Sequence, residues 1–378
     1  MTTPRYSKRL CSIRSPGPNL ALVLLMGVDY STPAKVGGCF LRQTFYATFP
    51  AMNTDLHAGS SRVWVLADDR AGNRSQCLGV AEALGLEYQV KEITYSPWAA
   101  LPNSVLGASF IGLHQLSRAQ LTPPWPEVVI AAGRRTAPVA RRIGRLGGSG
   151  CGLFQIMHPG AGAGEFALIA QPNHDQPSQG GNIIPITGAP HRLTAQRLAQ
   201  ETTTWQGRFD GLARPWVALI VGGSTRRRRF TLDMARELGA QASKLALLAG
   251  GSLLVSTSRR TGEATETLID AITAPNRIFR WDTGSEEDNP YHGYLALADA
   301  VVVSGDSVSM CTEACAGTGP VYIYAPSALT VPKHARLHAE LYQLGYARPL
   351  TGAYEAWSHP PLNPAIEVAA EIKKRLGV

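Results

Sequence analysis

No stretch of this chain approaches the roughly 20 consecutive apolar residues that a membrane-spanning helix needs. The nearest candidate, "NLALVLLMGV" at Asn19 to Val28, follows Lys8, Arg9 and Arg14 in the outline of a signal peptide. No small-x-small cleavage site follows it, and the basic, turn-rich region to about residue 61 reads as a poorly ordered extension or a start set too far upstream. Cysteine is also sparse. Six residues, Cys11, Cys39, Cys77, Cys151, Cys311 and Cys315, lack any C-x-x-C spacing, so neither a zinc site nor a disulfide framework is indicated and a reducing cytoplasm fits. Cys311 and Cys315 lie one helical turn apart and are expected as small core residues. Fixed-period repeats and low-complexity segments are missing too, as are the P-loop and the G-x-G-x-x-G fingerprint.

What is present is an ordinary globular composition, 44% hydrophobic and 17% charged over 378 residues, enough for two domains. A formal charge of +8 favours anionic partners. From Arg62 onward, short apolar or β-branched runs alternate with helix-like stretches, the pattern of parallel sheets with crossover helices. Strands are expected at 62–68, 88–94, 127–133, 152–158, 166–172 and 182–187. A polar helix and the break at Arg214-Pro215 follow. The alternation then restarts, with strands expected at 216–224, 253–259, 277–281, 299–305 and 320–326. The fold class is therefore α/β: two Rossmann-like domains, 62–210 and 211–350, with a terminal helix within 351–378.

In open parallel sheets, ligands gather beyond the carboxyl ends of the strands. The first strand ends in "ADDRAGNRSQ", where Asp68, Asp69 and Arg70 leave the strand, Gly72 allows a tight turn, and Asn73 or Ser75 caps the next helix. A sugar or anion fits over that turn, and so does a capped loop with no ligand. The third ends in "AAGRRTAPVARR", where Arg134 and Arg135 oppose the dipole of a helix capped by Thr136, which suggests a phosphate or carboxylate, with a solvated arginine pair as the alternative. "IVGGSTRRRRF" offers the amides of Gly222 and Gly223, Ser224 or Thr225 as a helix cap, and four arginines. Without interleaved aromatics, nucleic acid is not expected. "VSTSRRTGEAT" adds Ser258 and Arg259, whose hydroxyl and guanidinium groups suit phosphate oxygens. The acidic run Glu286 to Asp288 reads as a solvated loop rather than a metal site.

The last polar strand end, "SGDSVSMCTEACAGTGPVYIY", invites comparison with a nucleophile elbow, but Ser309 stands where the elbow requires glycine. A ligand clamp fits better: Gly305 turns the chain, Ser307 or Ser309 starts a helix, and Glu313 shares a face with Ser309 at i to i+4. A carboxylate there is suited to accept from vicinal ribose hydroxyls.

That segment is similar to the donor site of GT-B glycosyltransferases. Together with "WVLADDRAGNRSQCLGVAEALG", "VVIAAGRRTAPVARRI", "QIMHP", "TGAPHRL" and "ALADAVVVSGDSVSMCTEA", it resembles the mitochondrial fission Elm family, which includes a plant elongated-mitochondria protein and bacterial homologues. The resemblance spans about Arg62 to Leu350 and implies a GT-B-like fold. It implies a nucleotide-sugar as substrate rather than cofactor, held by Ser304, Gly305, Ser307, Ser309 and Glu313, with Gly223 and Ser224 near phosphate. Asp68, Arg70, Gly72 and Asn73 would line the acceptor side. Many GT-B enzymes carry a histidine where this chain has Asn73, a departure that leaves the base open, with Asp68 as the candidate. The activity implied is metal-independent transfer to an envelope lipid or saccharide, by a cytoplasmic protein at the periphery of the inner membrane. A catalytically silent scaffold in membrane or organelle organisation is the alternative. A nucleotide-sugar epimerase is less favoured, since a Tyr-x-x-x-Lys pair is missing as well as the dinucleotide fingerprint.

Overall fold

The computed structural model describes residues 62–281 and 289–378. The N-terminal extension and the Glu286 to Asp288 run lie outside the described residues. The first half runs β1 (Val63–Asp68), α1 (Ala71–Leu84), β2 (Tyr88–Ile93), α2 (Asn103–Leu106), α3 (Gln115–Ala119) and β3 (Val128–Ala132). It continues through α4 (Ala137–Gly147), β4 (Gly152–Ile156), β5 (Leu168–Pro172), β6 (Ile183–Ile186) and α5 (Ala195–Trp205). The second half runs β7 (Trp216–Ile220), α6 (Leu232–Leu248), β8 (Ser252–Ser256), α7 (Thr265–Asp270), β9 (Asn276–Phe279) and α8 (Tyr291–Leu297). Then come β10 (Ala300–Ser304), α9 (Val308–Ala314), β11 (Val321–Tyr324), α10 (Pro332–Gln343), β12 (Arg348–Pro349) and α11 (Pro364–Leu376).

Among the described residues these strands form two six-stranded sheets, ordered β2-β1-β3-β4-β5-β6 and β12-β11-β10-β7-β8-β9. All strand pairs within them are parallel. The eleven longer strands overlap the eleven expected ones; the central strands, covered on both faces, read as continuous hydrophobic stretches, whereas the edge strands β2 and β9 are partly exposed and carry polar residues. β12 was not expected: it is two residues long and holds its place by pairing with β11, so no run announces it.

Each sheet is covered on both faces. In the first, Val63, Val65, Ile130 and Phe154 pack with Cys77, Val80, Ala81 and Leu84 of α1. On the opposite face Trp64, Leu66, Val129 and Ile169 meet Ala137, Ala140 and Ile143 of α4. In the second, Val217, Leu219, Leu253 and Val255 lie against Ala235, Leu238, Ala242 and Leu245 of α6. Its other face joins Ile220, Val301, Val303 and Ile323 to Cys311, Leu337 and Leu341. Cys311 and Cys315 are both fully buried, as small core residues should be. No helix among the described residues is long and apolar enough to cross a membrane.

The terminal helix α11 does not stay with the half that precedes it. Ala365, Val368, Ala369 and Ile372 cross back to the first sheet and join the α1 face, so the chain end ties the halves together. Asn363 caps α11 by accepting from the Ala365 amide, and its own amide group donates to the Leu193 carbonyl. Ile372→Val removes one buried methylene and is expected to cost about 1 kcal/mol. Urea denaturation checks it: an unchanged midpoint would mean that this helix contributes little to the first core.

Candidate functional site

Strand order alone marks two places where a ligand can enter. In an open parallel sheet the crevice lies at the switch point, where neighbouring strands send their connections in opposite directions. The switch points here are β7/β10 in the second half and β1/β3 in the first. The polar strand ends singled out in the sequence fall on both.

At β7/β10 the two turns satisfy each other. Ser304 is fully buried; its hydroxyl accepts from the Gly222 amide at 2.7 Å and donates to Asp306 at 2.7 Å. Asp306 accepts from the Gly223 amide at 3.1 Å and pairs with the Arg260 guanidinium. Gly223 sits at φ +129°, and a Cβ there would lie 2.2 Å from the Arg260 carbonyl oxygen. The amides of Gly222 and Gly223, expected to face a phosphate, are here taken by the Ser304 hydroxyl and the Asp306 carboxylate.

Other assignments in this half change for the same reason. Ser224 caps no helix; its hydroxyl accepts from the Phe230 amide, and α6 begins after Thr231, whose hydroxyl accepts from the Met234 amide. Ser258 donates to the Gly222 carbonyl at 2.5 Å and accepts from the Arg260 amide at 3.1 Å, so it buttresses the turn instead of facing outward. Arg259 is exposed beside it. Asp306 and Arg260 were not read as site residues. The signal available was a carboxylate two residues beyond a strand that is apolar up to its last residue, Ser304, since a carboxylate buried there calls for a cation.

The helix behind this turn, α9, carries Ser309 and Glu313 and is preceded by Ser307. Ser307 is the cap of α9, accepting from the Met310 amide at 3.4 Å, so of the two serines proposed for that role it is the first. Gly305 is needed because His338 packs where its Cβ would be, 2.6 Å away. Burial holds the His338 imidazole down to about 4, against an opposing hydrogen bond with the Gly305 backbone. Ser309 is half-buried, and Glu313 accepts from the Tyr291 hydroxyl of α8 at 2.5 Å. Burial pushes the Glu313 carboxyl up to about 7, partly offset by that hydrogen bond. Burial and the neighbouring Glu313 charge likewise raise the Tyr291 phenol. Tyr291 carries no motif and could not be found by spacing.

At β1/β3, Asp68 is buried and accepts from the Arg70 amide at 3.1 Å, from the Asn73 side chain at 3.0 Å and from Arg135 at 3.4 Å. Arg135 also pairs with Asp69 and lies over the Tyr95 ring at 4.2 Å. Asn73 is not the helix cap. Arg70 occupies that position, exposed, and Asn73 lies in the first turn of α1, turned back to Asp68. Thr136 also fails as a side-chain cap, since its hydroxyl donates to the Ala132 and Gly133 carbonyls. Arg134 is committed to the β2–β3 connection, donating to the carbonyls of Leu101 and Ala99 and to Asn103, which corrects its assignment to a phosphate. Met157 adopts φ +66° beside this cluster, an uncommon conformation for a side chain of its size.

The two switch points meet. A Cβ on Gly72 at the start of α1 would lie 3.7 Å from the Ser309 hydroxyl of α9. Nearby, the Ala189 amide donates to Thr312 at 3.1 Å, and Gly188, at φ +74°, leaves room for that threonine. The segments "TGAPHRL" and "GDSVSMCTEA" thus form one contact between the two halves.

The family profile described as Mitochondrial fission ELM1 matches residues 71–376. The chain belongs to the mitochondrial fission ELM1 family. Mitochondrial fission protein ELM1 of Arabidopsis thaliana is 31% identical over 301 residues, covering 72% of this chain and 69% of the relative. An uncharacterized protein of Rickettsia prowazekii is 28% identical over 354 residues, covering 84% of this chain and 99% of the relative. Among solved structures, the glycosyltransferase SsfS6 of Streptomyces sp. SF2575, complexed with thymidine diphosphate, is similar at 14% identity and a TM-score of 0.40, over 83% of this chain and 91% of that one. For this ELM1-family chain the fold rests on the strand orders themselves.

Proposed function

We propose that this ELM1-family protein is a GT-B-type glycosyltransferase that binds a nucleoside diphosphate-sugar against α9 and presents it to an acceptor at the β1/β3 end. The observation that carries this is the meeting of the two switch points at Gly72 and Ser309, which sets a hydroxyl-lined helix start of one sheet against the polar turn of the other. Glu313 would accept from the two ribose hydroxyls, and Ser307, Ser309 and the first-turn amides of α9 would face the diphosphate. Arg259, exposed at the end of β8, supplies positive charge for the diphosphate that leaves. Asp68, with both oxygens already accepting hydrogen bonds, would hold Asn73 and Arg135 in place at the acceptor side. The acceptor would be an envelope lipid or saccharide.

One observation favours a second reading, a non-catalytic scaffold: Asp306 fills the Gly222-Gly223 turn that in a transferase would be open to phosphate. Melting curves with millimolar nucleoside diphosphates and their sugars separate the two. Binding at a hundredfold excess over Kd stabilises by about 2.7 kcal/mol. At roughly 2–4 °C per kcal/mol, that is a rise of several degrees. Glu313→Ala should abolish most of it. No rise with any nucleotide leaves the scaffold.

A further inference from the structure

Of the eleven exposed large hydrophobic side chains among the described residues, four lie in the connection between β2 and β3. Within it Ala99, Leu106, Leu113 and Leu121 are buried and hold the segment to the sheet. Beside them Trp98 is 61% exposed, Val105 67%, Ile111 51% and Leu116 71%. Each short turn therefore anchors one apolar side chain and presents another to the outside, which folding of this chain does not require.

The turns that bear these four are joined to one another. The Ser96 amide donates to the Gly112 carbonyl at 3.0 Å, bringing Ile111 beside the Trp98 turn. Arg118, on the same helix as Leu116, donates to the Ile111 carbonyl at 3.0 Å. Arg134 joins the Ala99 and Leu101 carbonyls to Asn103, which begins the helix bearing Val105. Exposed apolar groups gathered in this way mark an interaction surface.

Charge selects the partner. Between Glu92 and Glu127 the sequence contains no aspartate or glutamate. α4, whose Arg141 donates to the Gly107 carbonyl, adds Arg142 and Arg145 and no acid. Glu165 pairs with Arg141 and Arg145, whereas Arg118 and Arg142 form no ion pair among the described residues. Two copies docked symmetrically through this patch would bring like charges together. An anionic surface would meet them favourably.

We infer that the 95–121 connection is an interfacial docking surface for an anionic lipid bilayer, with Trp98, Val105, Ile111 and Leu116 entering the headgroup region and Arg118 and Arg142 facing lipid phosphates. Apolar insertion and electrostatic attraction add in such binding. The surface lies at the β1/β3 end, since Tyr95 packs on Arg135 and Arg135 reaches Asp68. It does not depend on any transferase activity.

The test is sedimentation of the full chain with vesicles of phosphatidylcholine, with and without phosphatidylglycerol. Binding is expected on the anionic vesicles, and Trp98→Ser with Leu116→Ser should weaken it at least about tenfold, the effect of removing little more than one buried apolar side chain. Arg118→Gln with Arg142→Gln should weaken it about tenfold or more, and high salt should mimic that change. Unchanged melting of each variant shows that it is folded; if the first pair melts lower, Val105→Ser with Ile111→Ser replaces it. The inference is overturned if the wild type ignores anionic vesicles, binds neutral ones equally well, or binds as tightly after the apolar pair is replaced. A dimer lost in the apolar variant, without vesicle binding, overturns it in favour of self-association.

Discussion

Asp306→Ala lowers the unfolding free energy by about 3 kcal/mol, the low end of the range for breaking a buried ion pair, because Arg260 is one-third exposed and regains water. The loss has three parts. The guanidinium loses its counter-charge, the Gly223 amide loses its acceptor, and Ser304 keeps the Gly222 amide but loses the oxygen to which it donates. Asp306→Asn keeps the shape and one acceptor, so its loss should be about half as large. Urea denaturation at neutral pH measures both. If alanine costs no more than asparagine, the turn is held by its backbone and not by the carboxylate.

Glu313→Gln is expected to do the reverse, and only at high pH. Burial raises the Glu313 carboxyl from its ordinary 4.5 to about 7, so the folded protein holds a proton that the unfolded chain has released. For an acid raised in this way the sign is fixed: below pH 4.5 both states are protonated and nothing is lost, and as pH rises from 4.5 to 7 the folded state is progressively penalised. A displacement of this size corresponds to about 3 kcal/mol at full development. Glutamine carries no such charge and still accepts from Tyr291. Wild type and Glu313→Gln should therefore match at pH 4, and the variant should be more stable by about 2–3 kcal/mol at pH 8. Parallel melting curves across this range would show that Glu313 is hydrated and free to ionise. The same shift bears on binding, because the ionised carboxylate is the better acceptor for a diol.

The central strands were readable because a parallel strand covered on both faces is apolar at nearly every position. Val128 to Ala132 and Ala300 to Val303 state this in sequence without any reference to their neighbours. The site was readable only to the level of which loops compose it. Ser309 and Glu313 were singled out by helical spacing, and the structure gives each a neighbour, Gly72 and Tyr291, from more than twenty residues away or from the other half. Ser304, Gly223, Ser224, Ser258 and Arg134 carry the chemistry of anion binding, yet all five are used within the protein. Residue type shows what a side chain can bond to, whereas only the fold shows whether another part of the chain arrives first. Asp306 arrives first at the glycine turn, and the carbonyls of Ala99 and Leu101 at Arg134.

By itself the sequence determined the α/β class, the places of eleven strands though not their exact ends, the restart near Arg214 and the family likeness, since all of these depend on local periodicity and on segments short enough to read. Tertiary structure decided the pairing of Ser304 and Asp306 with Gly222 and Gly223, the contact of Gly72 with Ser309, and the return of α11 to the first sheet. Each joins residues 80 or more positions apart, and a hydrogen bond or packing contact over such a separation is set by strand order and register, which no local pattern encodes.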